Sequence, residues 1–436
     1  SARIMTQYAY PVVNPFQART VTEPDFEPDL FRENLYVNLD EVRGEEFIRD
    51  IRFTLNIDAT NDCLDDVTDD YVKIVFSGHR GCGKTTELKR LHDKFNHPNR
   101  YFSIFLSIEE EMEYGSFQPE DFFVWIILKL VEAIDLHNLT VDTKELALNE
   151  LARQFFSDTV IEKELKQSFQ VESGVDASGG VDFFGWLKFK AVAKAVFAGT
   201  NQTSTKIREE VRRNTLDVIR KINAALVVIR QAIQADNKGR DILFIIDGSE
   251  KLKFEVYEYL FIQNPNLLKD LAVNLIIAVP INSFYQIEKA PGYFPNQFIV
   301  PMVKLGTPDG RADDCFKEVI RRRIDETTFF ERGVLDECVR YSGGCMRQLL
   351  IIVNSVIRKA RGSRASMETA EAAIAELGRR MYELLDSEHM EALRQNDRQL
   401  GDLKVREMLF QLVLLKYNGK TEINPLLKPF MPQPHP

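Results

Sequence analysis

The sequence is short of the features that mark secreted, metal-binding or membrane-spanning proteins. Its 436 residues include five cysteines, an odd number without C-x-x-C or cysteine–histidine spacing, so neither a disulfide framework nor a zinc site is indicated. The longest apolar runs, such as Ile242–Ile246 and Leu349–Val353, are far shorter than the roughly 18–20 residues that cross a bilayer. The first residues lack the apolar core of a signal peptide, and we therefore expect a cytoplasmic protein with reduced thiols.

The chain also lacks the positive charge of a general nucleic-acid binder. Its formal net charge is −10, and the acidic excess lies in residues 1–310, whereas residues 311–436 are close to neutral. An electrostatic footprint for nonspecific DNA binding therefore does not cover the whole chain, although a local basic face is compatible with these numbers. With 44% hydrophobic and 28% charged residues, the composition is that of a globular protein of two or three domains.

A glycine-rich loop between an apolar strand and a helix is the strongest signal in the sequence. The β-branched stretch Tyr71–Ser77 leads directly into G-x-x-x-x-G-K-T at Gly78–Thr85, after which apolar residues recur at helical spacing. Glycines let the backbone curl and present N–H groups to phosphate oxygens, Lys84 adds a positive charge, and the Thr85 hydroxyl is a ligand for Mg²⁺. A chance match is the alternative. The predicted nucleotide-binding residues of this loop are Gly78, His79, Arg80, Gly81, Cys82, Gly83, Lys84, Thr85 and Thr86.

An acidic strand end supplies the second half of a nucleotide site. Five apolar residues precede Asp247, which we predict to be a metal ligand together with Thr85. Glu250 follows three residues later, where it is placed to polarise an attacking water as a general base. The alternative is an ordinary buried strand followed by capping acids.

These two motifs together resemble a known family. GHRGCGKTTELKRL, followed at a distance by an apolar strand ending in D-G-x-E, resembles the bacterial AAA+/STAND branch of P-loop ATPases, which groups origin-recognition-like initiators, transposition regulators and signal-transduction ATPases of bacterial defence. The resemblance extends over most of the chain and implies ATP with Mg²⁺ as the bound nucleotide. No N/T-K-x-D motif for guanine is present. Leu39–Arg49 resembles the family's element that lines the adenine pocket, which makes Arg43, Pro15 and Phe16 adenine-side candidates.

The resemblance also implies two residues that sense the nucleotide. Asn282, after the apolar stretch that begins at Asn274, matches the position called sensor 1, which orients the hydrolytic water; Ser283 is the reserve, and a turn-forming Asn is the alternative. Arg347, in the segment SGG-x-x-R-x-L, resembles sensor 2, an arginine of the lid that contacts the γ-phosphate. The alternative is a solvated arginine on the edge of a buried helix. Arg321–Arg323 is a candidate for a trans-acting arginine finger. The alternative is a solvated or acid-paired face of a helix.

The predicted fold class is α/β, a P-loop NTPase core of AAA+ type with a parallel sheet, a helical lid and a small winged-helix-like module. We expect an adenine-side segment over residues 1–50, the core over 51–306 with Phe298–Leu305 as its last strand, a helical insertion over about 137–236, the lid over 307–378 and the module over 379–436. In the insertion, Lys206–Ile233 is expected to form one long helix. The apolar segment 181–197 is compatible with a buried helix or hairpin, a docking surface or an interfacial membrane helix.

We expect the protein to be a slowly hydrolysing regulatory ATPase that switches a protein effector on another chain, with homo-oligomerisation compatible with this role and a part in defence against phage implied by the resemblance. The first alternative is a DNA-associated initiator or transposition-type ATPase, since a helix followed by the Asn418-Gly419 turn resembles a winged helix. Such a module either binds DNA or packs against the ATPase core. The second alternative is a nucleotide-bound scaffold without turnover.

Overall fold

A computed structural model describes residues 8–26, 28–43, 46–65, 70–111, 115–141, 150–151, 202–289, 294–394 and 402–431. The candidate apolar segment 181–197 lies outside the described residues. No helix among the described ranges is long and apolar enough to cross a membrane.

A parallel sheet of five strands forms the centre of the described chain. Its order is β2-β3-β4-β1-β5, so the strands that precede the two motifs are separated by a single neighbour, β4. The first, third and fourth strands are buried along their whole length, as expected for continuous apolar runs covered on both faces. The strands are β1 Lys73–Gly78, β2 Tyr101–Ser107, β3 Asp241–Asp247, β4 Asn274–Pro280 and β5 Asn296–Val300.

Two of these strands differ from the sequence prediction. Strand β2 was not identified, because its apolar run is interrupted by serines and its place is defined by pairing with β3. Strand β5 occupies Asn296–Val300 instead of Phe298–Leu305, since Pro301 follows it and the Met302 N–H bonds to Lys416 outside the sheet. The last core strand is therefore displaced towards the N-terminus, and the residues after it connect to the C-terminal module.

Helices cover both faces of the sheet. The helices up to the fifth strand are α1 Pro15–Val21, α2 Asp40–Arg43, α3 Glu46–Thr54, α4 Lys84–Phe95, α5 Ile108–Glu111, α6 Pro119–Leu136, α7 Gln202–Arg213, α8 Thr215–Ala235, α9 Phe254–Tyr257, α10 Pro265–Lys269 and α11 Ile281–Lys289. A 3₁₀ turn spans Ser249–Lys251, and a π-helical stretch spans Glu258–Gln263. The single long helix expected over Lys206–Ile233 is two helices, α7 and α8, which meet at Asn214.

The lid and the C-terminal module follow the sheet. Their elements are α12 Arg311–Arg323, α13 Glu326–Phe329, α14 Val334–Ser342, α15 Met346–Ala360, α16 Met367–Glu383, α17 Ser387–Arg394, α18 Leu403–Phe410, the antiparallel pair β6 Leu414–Tyr417 and β7 Lys420–Ile423, and a 3₁₀ turn at Lys428–Phe430. Helix α16 runs past residue 378, where the lid was expected to end. We call residues 311–383 the lid and residues 387–431 the C-terminal module.

The N-terminal helix α1 packs on the lid rather than on the sheet. Ala18 and Val21 belong to the same hydrophobic cluster as the buried faces of α12, α14 and α15. Asn354 of α15 donates hydrogen bonds to the Arg19 carbonyl and to the Thr22 hydroxyl, which is fully buried. The segment that begins the described chain is therefore attached to the lid.

Candidate nucleotide-binding site

The glycine-rich loop lies between β1 and α4, as its sequence requires. Gly81 and Gly83 have φ values of 77° and 94°, which L-residues with side chains rarely adopt, and Gly83 directly precedes α4. A Cβ atom at Gly78 would lie 2.8 Å from the sulfur of Cys82, so that buried thiol packs into space that only glycine leaves. The curled backbone and the N-terminus of α4 form a cradle for an anion of the size of a phosphate.

Lys84 is buried inside this loop and holds its backbone. Its Nζ donates to the carbonyls of Gly78 and His79, each at 3.1 Å. Thr85 and Arg80 are exposed and Thr86 is half-buried. The ammonium group therefore lies within the curl of the loop, and Thr85 is exposed to solvent, where a hydrated cation can approach.

Asp247 ends β3 at the same edge of the sheet. Strand β4 separates β3 from β1, with Gly78 paired to Pro280 and Ile246 paired to Ile277. Since neighbouring strands lie about 4.8 Å apart, the backbones of β1 and β3 are roughly 10 Å apart at this edge. Asp247 is 2% exposed. The Asp247 carboxylate is therefore an oxygen ligand of the kind that Mg²⁺ prefers, at the edge of the sheet where the phosphate loop lies.

Glu250 lies in the 3₁₀ turn Ser249–Lys251 directly after this strand. Its side chain is outside the described residues. Ser249 is buried and its hydroxyl donates to the Ala278 carbonyl of β4, which fastens the turn to the neighbouring strand. The backbone of the predicted general base is therefore held at the edge of the sheet where Asp247 ends.

Asn282 begins the next element along that edge. It is the second residue of α11, directly after β4, and its Oδ1 atom is buried without a hydrogen-bond partner among the described residues. A buried polar atom left without a partner costs about 1–3 kcal/mol, so this oxygen is a place where a water or a ligand gains a bond. Ser283, the reserve candidate, is 2% exposed.

Arg347 joins the lid to the phosphate loop through its backbone. Its N–H donates to the Gly81 carbonyl at 3.1 Å, and a Cβ atom built on Gly81 would overlap with the Arg347 side chain. The guanidinium, however, binds Asp25 at 2.7 Å and the Pro24 carbonyl at 3.3 Å. The structure therefore places Arg347 beside the loop with its charge engaged by the N-terminal segment.

Arg43 is buried against the loop, in a network that the sequence did not reveal. Its guanidinium donates to the Cys82 carbonyl and forms an ion pair with Glu87 of α4 at 2.6 Å. Burial raises the pKa of the Glu87 carboxyl, and Arg43 and Arg90 oppose this shift. Arg90 also binds Asp40. Glu87 lies one turn into the helix that follows the loop. An acidic residue at a buried position of this helix is the sequence signal that could have predicted a basic partner such as Arg43.

The other two adenine-side candidates lie elsewhere. Phe16 is 72% exposed, and Pro15 lies beside Gly362, at the end of α15 opposite to Arg347. A helix of this length spans about 22 Å, so neither residue lies at the phosphate loop.

The alternative of an acid-paired helix face applies to Arg321 and Arg322. Arg321 binds Glu326 at 2.6 Å, and Arg322 binds Glu318 at 2.9 Å.

The sequence predicts that His79 binds phosphate, but its imidazole is bonded to the C-terminal module. Its imidazole is fully buried and bonds to two backbone groups of the C-terminal module, the Leu409 carbonyl at 3.0 Å and the Lys416 N–H at 2.8 Å. Burial lowers its pKa to about 4, and the charges of Lys84 and Lys416 act in the same direction, so it is neutral at pH 7. The contribution of His79 to the cradle is therefore made by its backbone.

The residues present fit a magnesium nucleotide. The two glycines at positive φ leave the loop open to phosphate oxygens, and the orphaned Asn282 oxygen lies at the adjoining strand end. Thr85 and Asp247 are the oxygen donors that would hold the metal, which prefers such hard ligands and keeps part of its water. The arrangement can bind a triphosphate and place a carboxylate and an amide near its terminal phosphate.

Comparisons with known proteins find two solved structures of low similarity to this chain. No protein-family model and no curated protein matches the chain. Two solved structures align over nearly its whole length: the Walker-type ATPase PABY2304 of Pyrococcus abyssi, with 13% identity over 94% of this chain and 99% of that chain and a TM-score of 0.41, and the ORC1 protein of Aeropyrum pernix in complex with DNA, with 11% identity over 95% and 97% and a TM-score of 0.37. The strand order and the phosphate loop, rather than these alignments, identify the fold as a P-loop NTPase core of the AAA+ type.

Proposed function

We propose that the protein binds ATP with Mg²⁺, hydrolyses it slowly, and uses the nucleotide state to control a partner protein. The observation that carries the proposal is the position of the Gly78–Thr85 loop and of Asp247 at one edge of the sheet, with β4 alone between their strands. A buried lysine in the loop and an acidic end on the second strand are the two charges that a metal–triphosphate requires.

Each residue has a distinct role in this proposal. The loop N–H groups and Lys84 bind the β- and γ-phosphates, and Thr85 and Asp247 hold the cation. Glu250 accepts a proton from the attacking water, and Asn282 orients that water. When bound, the magnesium ion neutralises charge that develops on the phosphate oxygens.

The regulatory part of the proposal rests on contacts between the loop and other elements. The Gly81 carbonyl accepts a hydrogen bond from the lid, and the Cys82 carbonyl accepts one from Arg43. A change of the loop on phosphate binding therefore acts directly on the lid and on the N-terminal segment, through these hydrogen bonds. The effector is a protein on another chain, and the family resemblance supports a role in bacterial defence; homo-oligomerisation is an additional expectation.

Nucleotide binding is tested by comparing two lysine variants of α4. Lys84→Ala removes the ammonium group inside the loop, and we expect ATP affinity to fall about 10- to 100-fold, since hydrogen bonds to charged groups contribute about 1.5–3 kcal/mol. Lys89→Ala, on the exposed side of the same helix, is the matched control and should bind ATP like the wild type. Equal affinity of all three proteins would contradict the proposed site.

Turnover is tested separately. Glu250→Gln keeps the size of the side chain and removes the base, so phosphate release should fall about 10²–10⁴-fold while ATP remains bound. Hydrolysis that continues unchanged in this variant would remove Glu250 from the mechanism. Absence of turnover in the wild type under every partner condition would favour the scaffold without hydrolysis.

A DNA-associated ATPase remains the second candidate, favoured by the order of helix α18 and the β6–β7 hairpin in the C-terminal module. In this structure α18 packs on α11, and its residues Val405, Met408 and Leu409 are buried. A steep fall of DNA affinity with salt concentration would support this candidate, because each phosphate contact releases counterions.

A further inference from the structure

The imidazole of His79 lies at the joint between the phosphate loop and the C-terminal module. The side chain leaves the second position of the loop and enters the module between the end of α18 and strand β6, where it bonds to Leu409 and Lys416. His79 itself is fully buried. A change in the backbone at His79 is therefore expected to disturb its two bonds to the module.

The partners of the ring fix its protonation state. A carbonyl can only accept, so Nδ1 donates its hydrogen to Leu409, and a backbone N–H can only donate, so Nε2 accepts from Lys416. Only the neutral form with hydrogen on Nδ1 makes both bonds. Both partners belong to the module backbone, so substitution of module side chains leaves these two groups in place.

The same joint holds the module to other parts of the chain. Tyr417 donates through its hydroxyl to the Gly343 carbonyl of the lid at 2.7 Å, Asn418 donates to the Arg43 carbonyl at 3.2 Å, and the Lys416 carbonyl accepts from Met302 at 3.1 Å. These contacts dock the β6–β7 hairpin beside the loop, and they do not involve residues 78–86.

We propose that His79 is a positioning residue that couples nucleotide binding in the loop to docking of the C-terminal module, so that each strengthens the other. This inference rests on the proposed function, since it requires a nucleotide in the loop. The curled loop, with Lys84 bonded to the Gly78 and His79 carbonyls, coexists here with the docked module. A loop held in this form loses less conformational freedom when it binds phosphate, and by linkage the bound phosphate favours the docked module by the same factor.

Hydrogen exchange at the Lys416 amide reports on the joint, because this amide is the donor to His79. In the full-length wild-type protein, we expect saturating Mg-ATP to slow exchange in a peptide that spans residues 412–418 by about tenfold, a change of about 1.4 kcal/mol. In His79→Ala, we expect this effect of ATP to disappear and ATP affinity to fall about tenfold. His79→Asn keeps a side-chain donor for Leu409 and should retain part of both effects.

Tyr417→Phe is the matched control, because it removes a bond of the module to the lid and leaves both bonds of His79 in place. We expect faster exchange without nucleotide in this variant, while ATP still slows it as in the wild type. Circular dichroism and thermal melting of all variants identify any that fail to fold. If His79→Ala does not fold, the comparison with the wild type is made with His79→Asn.

The outcomes separate this inference from the proposed function. If ATP binds to the wild type but exchange at residues 412–418 is unchanged or accelerates, the coupling is wrong and the nucleotide site stands. If His79→Ala responds to ATP like the wild type, His79 is not the coupling residue. If the wild type binds no ATP, both proposals are overturned.

Discussion

At the scale of single residues, the candidate site depends on buried charges that sit beside the phosphate loop. Arg43 and Glu87 are both 4% exposed in their side chains, and their ion pair connects α2 to α4. We expect Arg43→Met to destabilise the protein by about 3 kcal/mol, because Glu87 stays buried with only its weaker contact to Arg90. Urea unfolding measures this cost. In Arg43→Met/Glu87→Leu, the loss should be smaller than in the single variant.

A surface pair provides the control for that experiment. Arg340 binds Glu337 on α14, and its side chain is 65% exposed. Arg340→Met should change the free energy of unfolding by no more than about 1 kcal/mol, as exposed ion pairs generally do. Equal effects of the two arginine substitutions would show that the Arg43 pair has no special importance for stability.

His79 predicts a pH dependence of stability. Its pKa is about 4 in the folded protein and about 6.5 in the unfolded chain, so the unfolded state takes up the proton first as the pH falls. The stability contributed by the neutral ring is complete above about pH 6.5, and up to roughly 3 kcal/mol of it is lost as the pH falls to 4. Chemical unfolding at several pH values measures this change. We expect that His79→Asn does not lose this part of the free energy of unfolding as the pH falls. Parallel acid profiles of the two proteins would contradict the assignment.

At the scale of elements, the contact between α15 and the phosphate loop depends on Gly81. Gly81→Ala places a methyl group where the Arg347 side chain lies, at a φ of 77°. We expect it to displace the lid helix and to weaken ATP binding by more than tenfold. Gly306→Ala is the matched control, since Gly306 has a φ of 70° and open space around its Cβ position. Titration with a fluorescent ATP analogue compares the two; equal losses would mean that backbone strain alone explains the effect.

The elements also show how far the sequence determines the fold. Strands β1, β3 and β4 follow from continuous apolar runs, since a parallel sheet covered by helices needs such runs. Strand β2 contains two serines and is set by its partner, and β5 is shorter because the chain turns towards Lys416 after Pro301. The break at Asn214 lies within apolar helical spacing on both sides, so periodicity alone predicted one helix.

At the scale of the whole molecule, bound nucleotide should stabilise the fold. A ligand at 100 times its dissociation constant adds about 2.7 kcal/mol to the free energy of unfolding. We therefore expect Mg-ATP to raise the melting temperature of the wild type and to raise that of Lys84→Ala by a clearly smaller amount at the same concentration. Differential scanning fluorimetry measures both shifts. An equal rise in both proteins would place the nucleotide elsewhere.

The local part of the site was predictable, and the long-range part was not. Gly78–Thr85 and Asp247 are recognisable as candidates because a single segment contains the strand, the turn and the candidate side chain. The bonds of His79 to Leu409 and Lys416 join residues more than 300 positions apart, and no local pattern encodes such a contact. The same holds for the ion pair of Arg347 with Asp25.

The attachment of α1 to the lid bears on the proposed role of Arg347. Asp25 follows α1 closely in sequence, and α1 is fastened to α15 by Asn354, so any movement of the lid would carry the arginine and its counter-ion together. Such a movement by itself would leave the ion pair intact. A phosphate would bind the Arg347 guanidinium only in competition with a carboxylate that is 81% exposed, and exposed ion pairs are weak.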